Sequence, residues 1–153
     1  MKPFQKYFSL LGTLLGIFLP LFLGLIGGFN KSSFSEYYFT DAKLFFIVSL
    51  TLISFSFISL SKTWFVPAIS LLVLTYFNHQ TYSEIHQFAA HIFFASSIYL
   101  ILRDKRFRGI GYLMLLTTPI VFFSIYYFEL ISVLLISIFH LFYMRLIFKT
   151  KKL

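Results

Sequence analysis

Long apolar runs separated by short polar stretches dominate the sequence. A helix that crosses a membrane needs about 20 predominantly apolar residues, and six segments reach or approach that length. Their predicted bounds are Phe8–Phe29, Ala42–Leu60, Trp64–Phe77, Ile85–Leu102, Gly109–Tyr126 and Leu130–Phe148. The pattern predicts an all-α polytopic membrane helix bundle with six transmembrane helices in a single domain, residues 1–153.

Two of these segments have special features. The third is short and contains Pro67, so it needs Thr63 and residues 78–80 to complete a span, or else a locally thinned bilayer. Only residues 127–129 separate the fifth segment from the sixth, which predicts a tight helical hairpin there.

Composition supports the membrane assignment. The chain is 59% hydrophobic and only 12% charged, whereas a soluble domain carries about 25% charged residues to wet its surface. It has 23 phenylalanines and 10 tyrosines, which suit helix interfaces and the two headgroup layers. It has no cysteine, which excludes disulfides, a lipoprotein anchor, thiolate metal sites and a cysteine nucleophile.

The charges predict an orientation. If both termini are cytoplasmic, eleven of the thirteen basic residues fall on the inner side. These eleven are Lys2, Lys6, Lys62, Arg103, Lys105, Arg106, Arg108, Arg145, Lys149, Lys151 and Lys152. The outer side receives Lys31 and Lys43 together with four of the five acids, which are Glu36, Asp41, Glu84 and Glu129. An odd number of spans would scatter this pattern.

We therefore expect six spans in the cell membrane, a bacterial inner membrane. The net charge of +8 then serves as an orientation signal and as a contact for anionic lipid headgroups. We expect membrane lipids, and no nucleic acid, among the partners.

The first apolar run has an alternative interpretation. Lys2 and Lys6 followed by an apolar run resemble a signal peptide, and Gly27 and Gly28 are small enough for cleavage. The run is longer than a typical signal core and lacks an A-x-A site. We expect an uncleaved first helix.

A small-residue pattern marks this helix. Gly12, Gly16, Pro20, Gly24 and Gly28 recur every four residues, which predicts a groove for close helix approach and a kink at Pro20. Packing within the bundle is favoured over a dimer seam, because a six-helix protein already offers partners.

Polar residues at a membrane border are the default candidates for function, and here they converge on the outer side. We expect them to form a hydrogen-bonded outer cap that binds a lipid headgroup or a loop of a protein partner. The candidate ligand-binding residues are Glu36, Tyr37, Tyr38, Asp41, Glu84, His86 and His91. Tyr37, Tyr38 and Tyr82 would anchor the cap at the interface, and Asp41 could also cap the second helix.

The 3.6-residue period divides the fourth helix into two neighbouring faces. Glu84, Gln87 and His91 share one of them. The other carries His86, Ala90, Phe93 and Ser97.

The sequence gives little support for a catalytic site or for a bound cofactor. His86 and His91 are five apart, unlike the i, i+4 pair of H-E-x-x-H, so we expect no metal. A haem shared by His91 and His140 would need them at equal depth, which their positions do not give. We therefore expect no cofactor, and we predict that His140 forms an interhelical hydrogen bond. A serine–histidine pairing of Ser35 or Ser83 stays open, without support from spacing.

Two short motifs carry a resemblance. SFSEYYFTDAKLFF resembles an S-x-S-x-Y-Y-x-T-x-x-R-x-x-F pattern of small bacterial membrane proteins, with Lys43 in place of the arginine. HQFAAHIFF resembles an H-x-x-x-A-x-x-F-F opening of a fourth helix, although His91 departs from that pattern. The matching residues are Ser33, Ser35, Tyr37, Tyr38, Thr40, Phe46, His86, Ala90, Phe93, Phe94 and Tyr99.

The combination is also distantly similar to the Frag1/DRAM/Sfk1 superfamily, which implies six helices and roles around membrane lipids. We expect a non-catalytic integral membrane protein that associates with lipid or binds a partner through its outer cap. The alternatives are a membrane-embedded lipid-directed hydrolase or transferase that uses His, Glu and Asp of the cap, and a structural subunit of a larger membrane complex.

Overall fold

The computed structural model of the chain describes residues 3–150, with side chains for residues 4–148, and within that range it contains helices and no strand. Lys2, Lys151 and Lys152, which the charge pattern assigns to the inner side, lie outside the described residues, as does the side chain of Lys149. The α-helices are α1 (Pro3–Gly27), α2 (Lys43–Leu60), α3 (Phe65–Tyr76), α4 (Ser83–Arg103), α5 (Arg108–Thr117) and α6 (Ile125–Thr150). Short 3₁₀ segments occupy Phe34–Phe39, Lys62–Trp64 and Thr118–Phe122.

Four helices are long and apolar enough to cross a membrane, judged by length and composition. They are Phe4–Gly27, Lys43–Leu60, Ser83–Arg103 and Ile125–Phe148. The helical segments Lys62–Tyr76 and Arg108–Phe122 are apolar but shorter. At 1.5 Å per residue each shorter segment spans roughly 22 Å, against about 30 Å of bilayer hydrocarbon. Because the described residues form helices and no strand, the predicted all-α class is confirmed.

The helices form a ring. Each packs against the next in sequence, and α6 returns to pack against α1. Leu19, Leu23, Ile53 and Phe139 are among the side chains buried inside. The outer surface carries many large apolar side chains, such as Phe18, which suits contact with lipid rather than water.

The two ends of the ring differ in chemistry. One end, here the cap end, holds the 3₁₀ turn Phe34–Phe39 and the α3–α4 turn, residues 77–82, which meet where Phe39 packs on His79. The other, here the basic end, holds residues 103–108. The start of α1 and the end of α6 meet at the basic end, where the Lys6 ammonium lies 4.7 Å from the Phe148 ring centre.

The glycines of α1 lie against their own bundle. A Cβ atom on Gly12 would collide with Ser56 of α2, and one on Gly16 with Ser137 of α6. A Cβ on Gly24 would meet the ring of Phe29. Gly28 instead ends the helix: its φ of +84° is left-handed, and its N–H donates to the Gly24 carbonyl at 2.9 Å.

Pro20 is buried, and α1 continues through it as one helix. The helix also begins at Pro3, five residues before the predicted start at Phe8.

The predicted hairpin at residues 127–129 is wrong. Those residues lie inside α6, which begins at Ile125, and the chain reverses at residues 123–124. The α-helical ladder of α5 ends at Thr117 and gives way to the 3₁₀ segment Thr118–Phe122. Pro119 explains the change, because it lacks the N–H that an α-helix needs.

Candidate ligand-binding cap

Hydrogen bonds fix the 3₁₀ turn Phe34–Phe39 to the rest of the bundle. The Phe34 N–H donates to the Glu129 carboxylate of α6 at 2.7 Å. The Tyr37 hydroxyl donates to the Gly28 carbonyl at 2.9 Å and lies 3.5 Å from the Tyr126 hydroxyl. The end of α1 and the start of α6 therefore hold the first loop from both sides.

Tyr37 is fully buried, so its predicted role as an interface anchor is wrong. Its ring packs 6.2 Å from that of Phe34, centre to centre. Burial raises the pKa of Tyr37 above its ordinary value, because an ionised phenolate would lose its water shell. The hydroxyl thus stays a neutral donor for Gly28.

Glu36 is held in place by its own loop. The hydroxyl of Ser32 donates to one carboxylate oxygen, and the Ser32 N–H donates to the other at 3.1 Å. The hydroxyl bond lowers the pKa of Glu36, with smaller contributions from the backbone bond and from the positive charge of Lys31. Glu36 therefore stays ionised at neutral pH and presents hydrogen-bond acceptors beside the α3–α4 turn.

Two imidazoles face each other across that turn. The ring centres of His79 and His86 lie 6.0 Å apart, and Phe39 packs edge-on against His79 at 5.5 Å. The His79 Nδ1 atom is buried and, within the described part of the chain, has no hydrogen-bond partner. Such an unpaired buried atom costs about 1–3 kcal/mol unless something else satisfies it.

The partner of His86 identifies its tautomer. Its Nδ1 lies 2.7 Å from the Phe77 carbonyl, and a carbonyl only accepts, so Nδ1 carries the hydrogen. In the neutral ring Nε2 is then an acceptor. His86, His79 and Glu36 together form a cluster, here the acceptor cluster, in which the Glu36 carboxylate and the His86 Nε2 offer acceptors to a ligand.

The structure does not bring every predicted site residue to this cluster. Glu84 and His91 lie with Gln87 on the exposed face of α4, where the His91 Nδ1 bonds the Gln87 carbonyl at 2.7 Å. His86 lies on the buried face. The two predicted faces thus exist, and they point to opposite sides of the helix: only His86 of α4 enters the cap.

Asp41 does not cap α2. Its side chain is exposed and, among the described residues, forms no hydrogen bond, while Ala42 occupies the N-cap position without a side-chain cap. Thr40 organises this turn instead, because its hydroxyl donates to the Tyr37 carbonyl at 3.0 Å and accepts from the Ala42 N–H at 3.2 Å. Tyr38 lies beside the turn, with the Lys43 ammonium 4.4 Å from its ring centre.

Two cap residues were absent from the predicted set. Glu129 appeared in the sequence only as an outer acid in a turn, and it is the acceptor that ties α6 to the first loop. His79 was visible in the polar segment NHQTYSEIHQ, but nothing in its spacing distinguished it from its neighbours.

Metal and haem arrangements are not formed by these side chains. The described residues contain no group of three or more His, Cys, Asp or Glu side chains placed to hold a metal ion. His140 is buried near the basic end, stacked on Phe57 at 4.2 Å and bonded to the Ile136 carbonyl of its own helix. Its other ring nitrogen, Nε2, has no hydrogen-bond partner among the described residues, so the predicted interhelical hydrogen bond is wrong. His91 is exposed on α4 near the opposite end.

Comparison with protein-family models, with curated proteins and with solved structures found no match to this chain.

Proposed function

We propose that the chain is an integral membrane protein of the cell membrane that crosses the bilayer six times, with both termini in the cytoplasm. Three observations support this arrangement. Lys6 and Phe148 meet at the basic end, as an even number of crossings requires. Large apolar side chains cover the outside of the ring. The acids Glu36 and Glu129 lie together at the cap end, opposite Arg103 and Arg106.

In this proposal the cap is a non-catalytic binding site for a lipid headgroup. The observation that carries it is the buried, unpartnered Nδ1 of His79 beside His86 and Glu36. Such a buried group needs a partner that the described residues do not supply, and a bound headgroup can provide one.

The acceptor cluster selects the chemistry of the ligand. A carboxylate and a neutral Nε2 accept hydrogen bonds, so they pair with N–H or O–H donors. Ethanolamine and glycerol headgroups carry such donors, whereas the trimethylammonium of choline has none. Phe39 and Tyr82 are exposed beside the cluster and would sit at headgroup level.

The test offers the purified protein an equal mixture of phosphatidylethanolamine, phosphatidylglycerol and phosphatidylcholine, and measures retained lipid by native mass spectrometry. We expect the wild-type protein to retain a donor-bearing lipid over phosphatidylcholine. The double variant Glu36→Gln/His79→Gln should lose that preference.

The matched control is Glu84→Gln/His91→Gln, which makes the same chemical changes on the exposed face of α4. It should retain the wild-type preference. Equal retention of the three lipids by the wild type, or equal losses in both double variants, would contradict the proposal. Retention of a defined protein assembly without lipid would assign the cap to a protein partner.

A further inference from the structure

A second site lies at the basic end, away from the acceptor cluster. An open cavity of about 450 Å³ is formed there by the α2–α3 turn, the end of α4, the following loop and α6. Its lining residues are Thr63, Trp64, Leu100, Arg103, Asp104, Lys105, Arg106, Phe139 and Tyr143. The volume falls within the range of about 300–1,000 Å³ that is typical of small-molecule sites.

The cavity has an excess of positive charge. Asp104 is engaged by Arg106 through two hydrogen bonds, at 2.9 Å from Nε and 2.6 Å from Nη2. These bonds lower the pKa of Asp104, so its single negative charge is present and is paired with Arg106. Arg103 and Lys105 have no such partner among the described residues, and they leave two uncompensated cations on the rim.

Aromatic rings form the wall beneath these cations. Trp64 is 2% exposed, and its ring centre lies 5.4 Å from that of Phe139. Tyr143 stacks on Phe139 at 5.5 Å, with the two ring planes 20° apart. The cavity therefore joins a cationic rim to an apolar aromatic wall, a combination that fits a molecule with one anionic and one organic part.

We propose that this cavity binds an organic phosphate. Arg103 and Lys105 contact the phosphate oxygens through charge-assisted hydrogen bonds, and the partly exposed side chains of Leu100 and Tyr143 contact the organic part. The phosphate comes either from a phospholipid headgroup of the adjacent leaflet or from a soluble organic phosphate. The site shares no residue with the cap, so either proposal can fail without the other.

The structure supplies its own probe for the test. Trp64 is the only tryptophan of the chain and lies in the cavity wall, so its fluorescence reports occupancy. The protein is reconstituted in phosphatidylcholine nanodiscs and titrated with glycerol 3-phosphate, which is the soluble arm. In the lipid arm, increasing fractions of phosphatidic acid are built into the nanodiscs. We expect a saturable change in Trp64 fluorescence in at least one arm.

Two double variants of equal charge change separate a built site from a general basic surface. Arg103→Gln/Lys105→Gln removes the unpaired rim cations and should weaken binding by about tenfold or more. Arg108→Gln/Lys62→Gln removes an arginine and a lysine that do not line the cavity, and should leave the affinity within about twofold. Thermal unfolding of each variant shows whether the fold is kept.

A response to glycerol 3-phosphate identifies a soluble ligand, and a response to phosphatidic acid alone identifies a lipid. If Trp64 fluorescence changes in neither titration, the proposal is overturned. Equal weakening in the two double variants also overturns it, because it would show attraction to the basic surface rather than binding in the cavity.

Discussion

The backbone N–H of Phe34 donates a 2.7 Å hydrogen bond to the carboxylate of Glu129, a residue 95 positions further along the chain. This bond joins the first loop to the start of α6, and with the bond from Tyr37 to Gly28 it closes the cap end over the ring of helices. This attachment holds Glu36 of the acceptor cluster in place, since Glu36 lies on the same 3₁₀ turn as Phe34.

The Glu129 contact gives a stability prediction. Glu129→Ala leaves the Phe34 N–H without its acceptor and should lower the free energy of unfolding by about 1–3 kcal/mol, whereas Glu129→Gln keeps an acceptor oxygen and should cost less. Unfolding of the detergent-solubilised protein measures both. Glu84→Ala on exposed α4 serves as the control and should change stability little; an equal loss there would refute the assignment.

The two tyrosines at the cap end should respond differently to loss of their hydroxyls. Tyr37→Phe removes the donor to the Gly28 carbonyl and should destabilise the fold by about 0.5–1.5 kcal/mol. Tyr126→Phe removes only a hydroxyl 3.5 Å from that of Tyr37, so its effect should be smaller. Thermal unfolding of the two variants measures both losses of stability. A larger loss in Tyr126→Phe than in Tyr37→Phe would show that Tyr37 does not anchor the loop.

The glycines of α1 provide a packing test. Gly12→Ala and Gly16→Ala place a methyl group against Ser56 and Ser137, and each should destabilise the bundle by about 1–3 kcal/mol. Gly109→Ala is the control, because its new methyl group meets nothing within 4 Å. If Gly12→Ala instead kept monomer stability and abolished a dimer, α1 would be a subunit interface.

Glu36 should make the stability depend on pH. Its pKa lies below the ordinary value of 4.5 in the folded protein, so the stabilisation is present above that value and is lost as pH falls through the folded-state pKa. The stability difference between wild type and Glu36→Gln should therefore shrink below pH 4.5. Unfolding curves across that range measure it, and a constant difference would mean that the contact with Ser32 contributes nothing.

Hydropathy predicted where the helices lie because an apolar run long enough to reach across a bilayer is visible without knowledge of packing. It missed the end of α5 because the stretch TTPIVFFSIYYF is apolar almost throughout. The change there from α to 3₁₀ geometry follows from the missing N–H of Pro119. A hydropathy pattern does not show this change, because it records only how apolar each residue is.

The prediction of the cap residues was incomplete for a similar reason. The helical period separated His86 from His91, yet a period alone does not say which face is buried, so both entered the predicted site. Contacts between distant segments, such as Phe39 with His79, have no signature in local sequence. The resemblance to the Frag1/DRAM/Sfk1 superfamily stays a prediction.

In the proposed arrangement the cap lies on the outer side of a protein with six membrane crossings. If only the four long helices crossed, the first loop would be outside and the α3–α4 turn inside, and residues 103–108 would be outside. Gln80 and Lys105 therefore distinguish the two arrangements, and both are exposed.

Because the chain has no cysteine, single introduced cysteines can report on which side of the membrane each loop lies. Single-cysteine variants Gln80→Cys and Lys105→Cys are treated in intact cells with a membrane-impermeant maleimide, beside Lys31→Cys as an outer and Lys62→Cys as an inner reference. Six crossings predict labelling at positions 31 and 80, and labelling at 62 and 105 only after permeabilisation. Labelling at 105 with protection at 80 would show that only the four long helices cross the membrane and that six crossings are wrong.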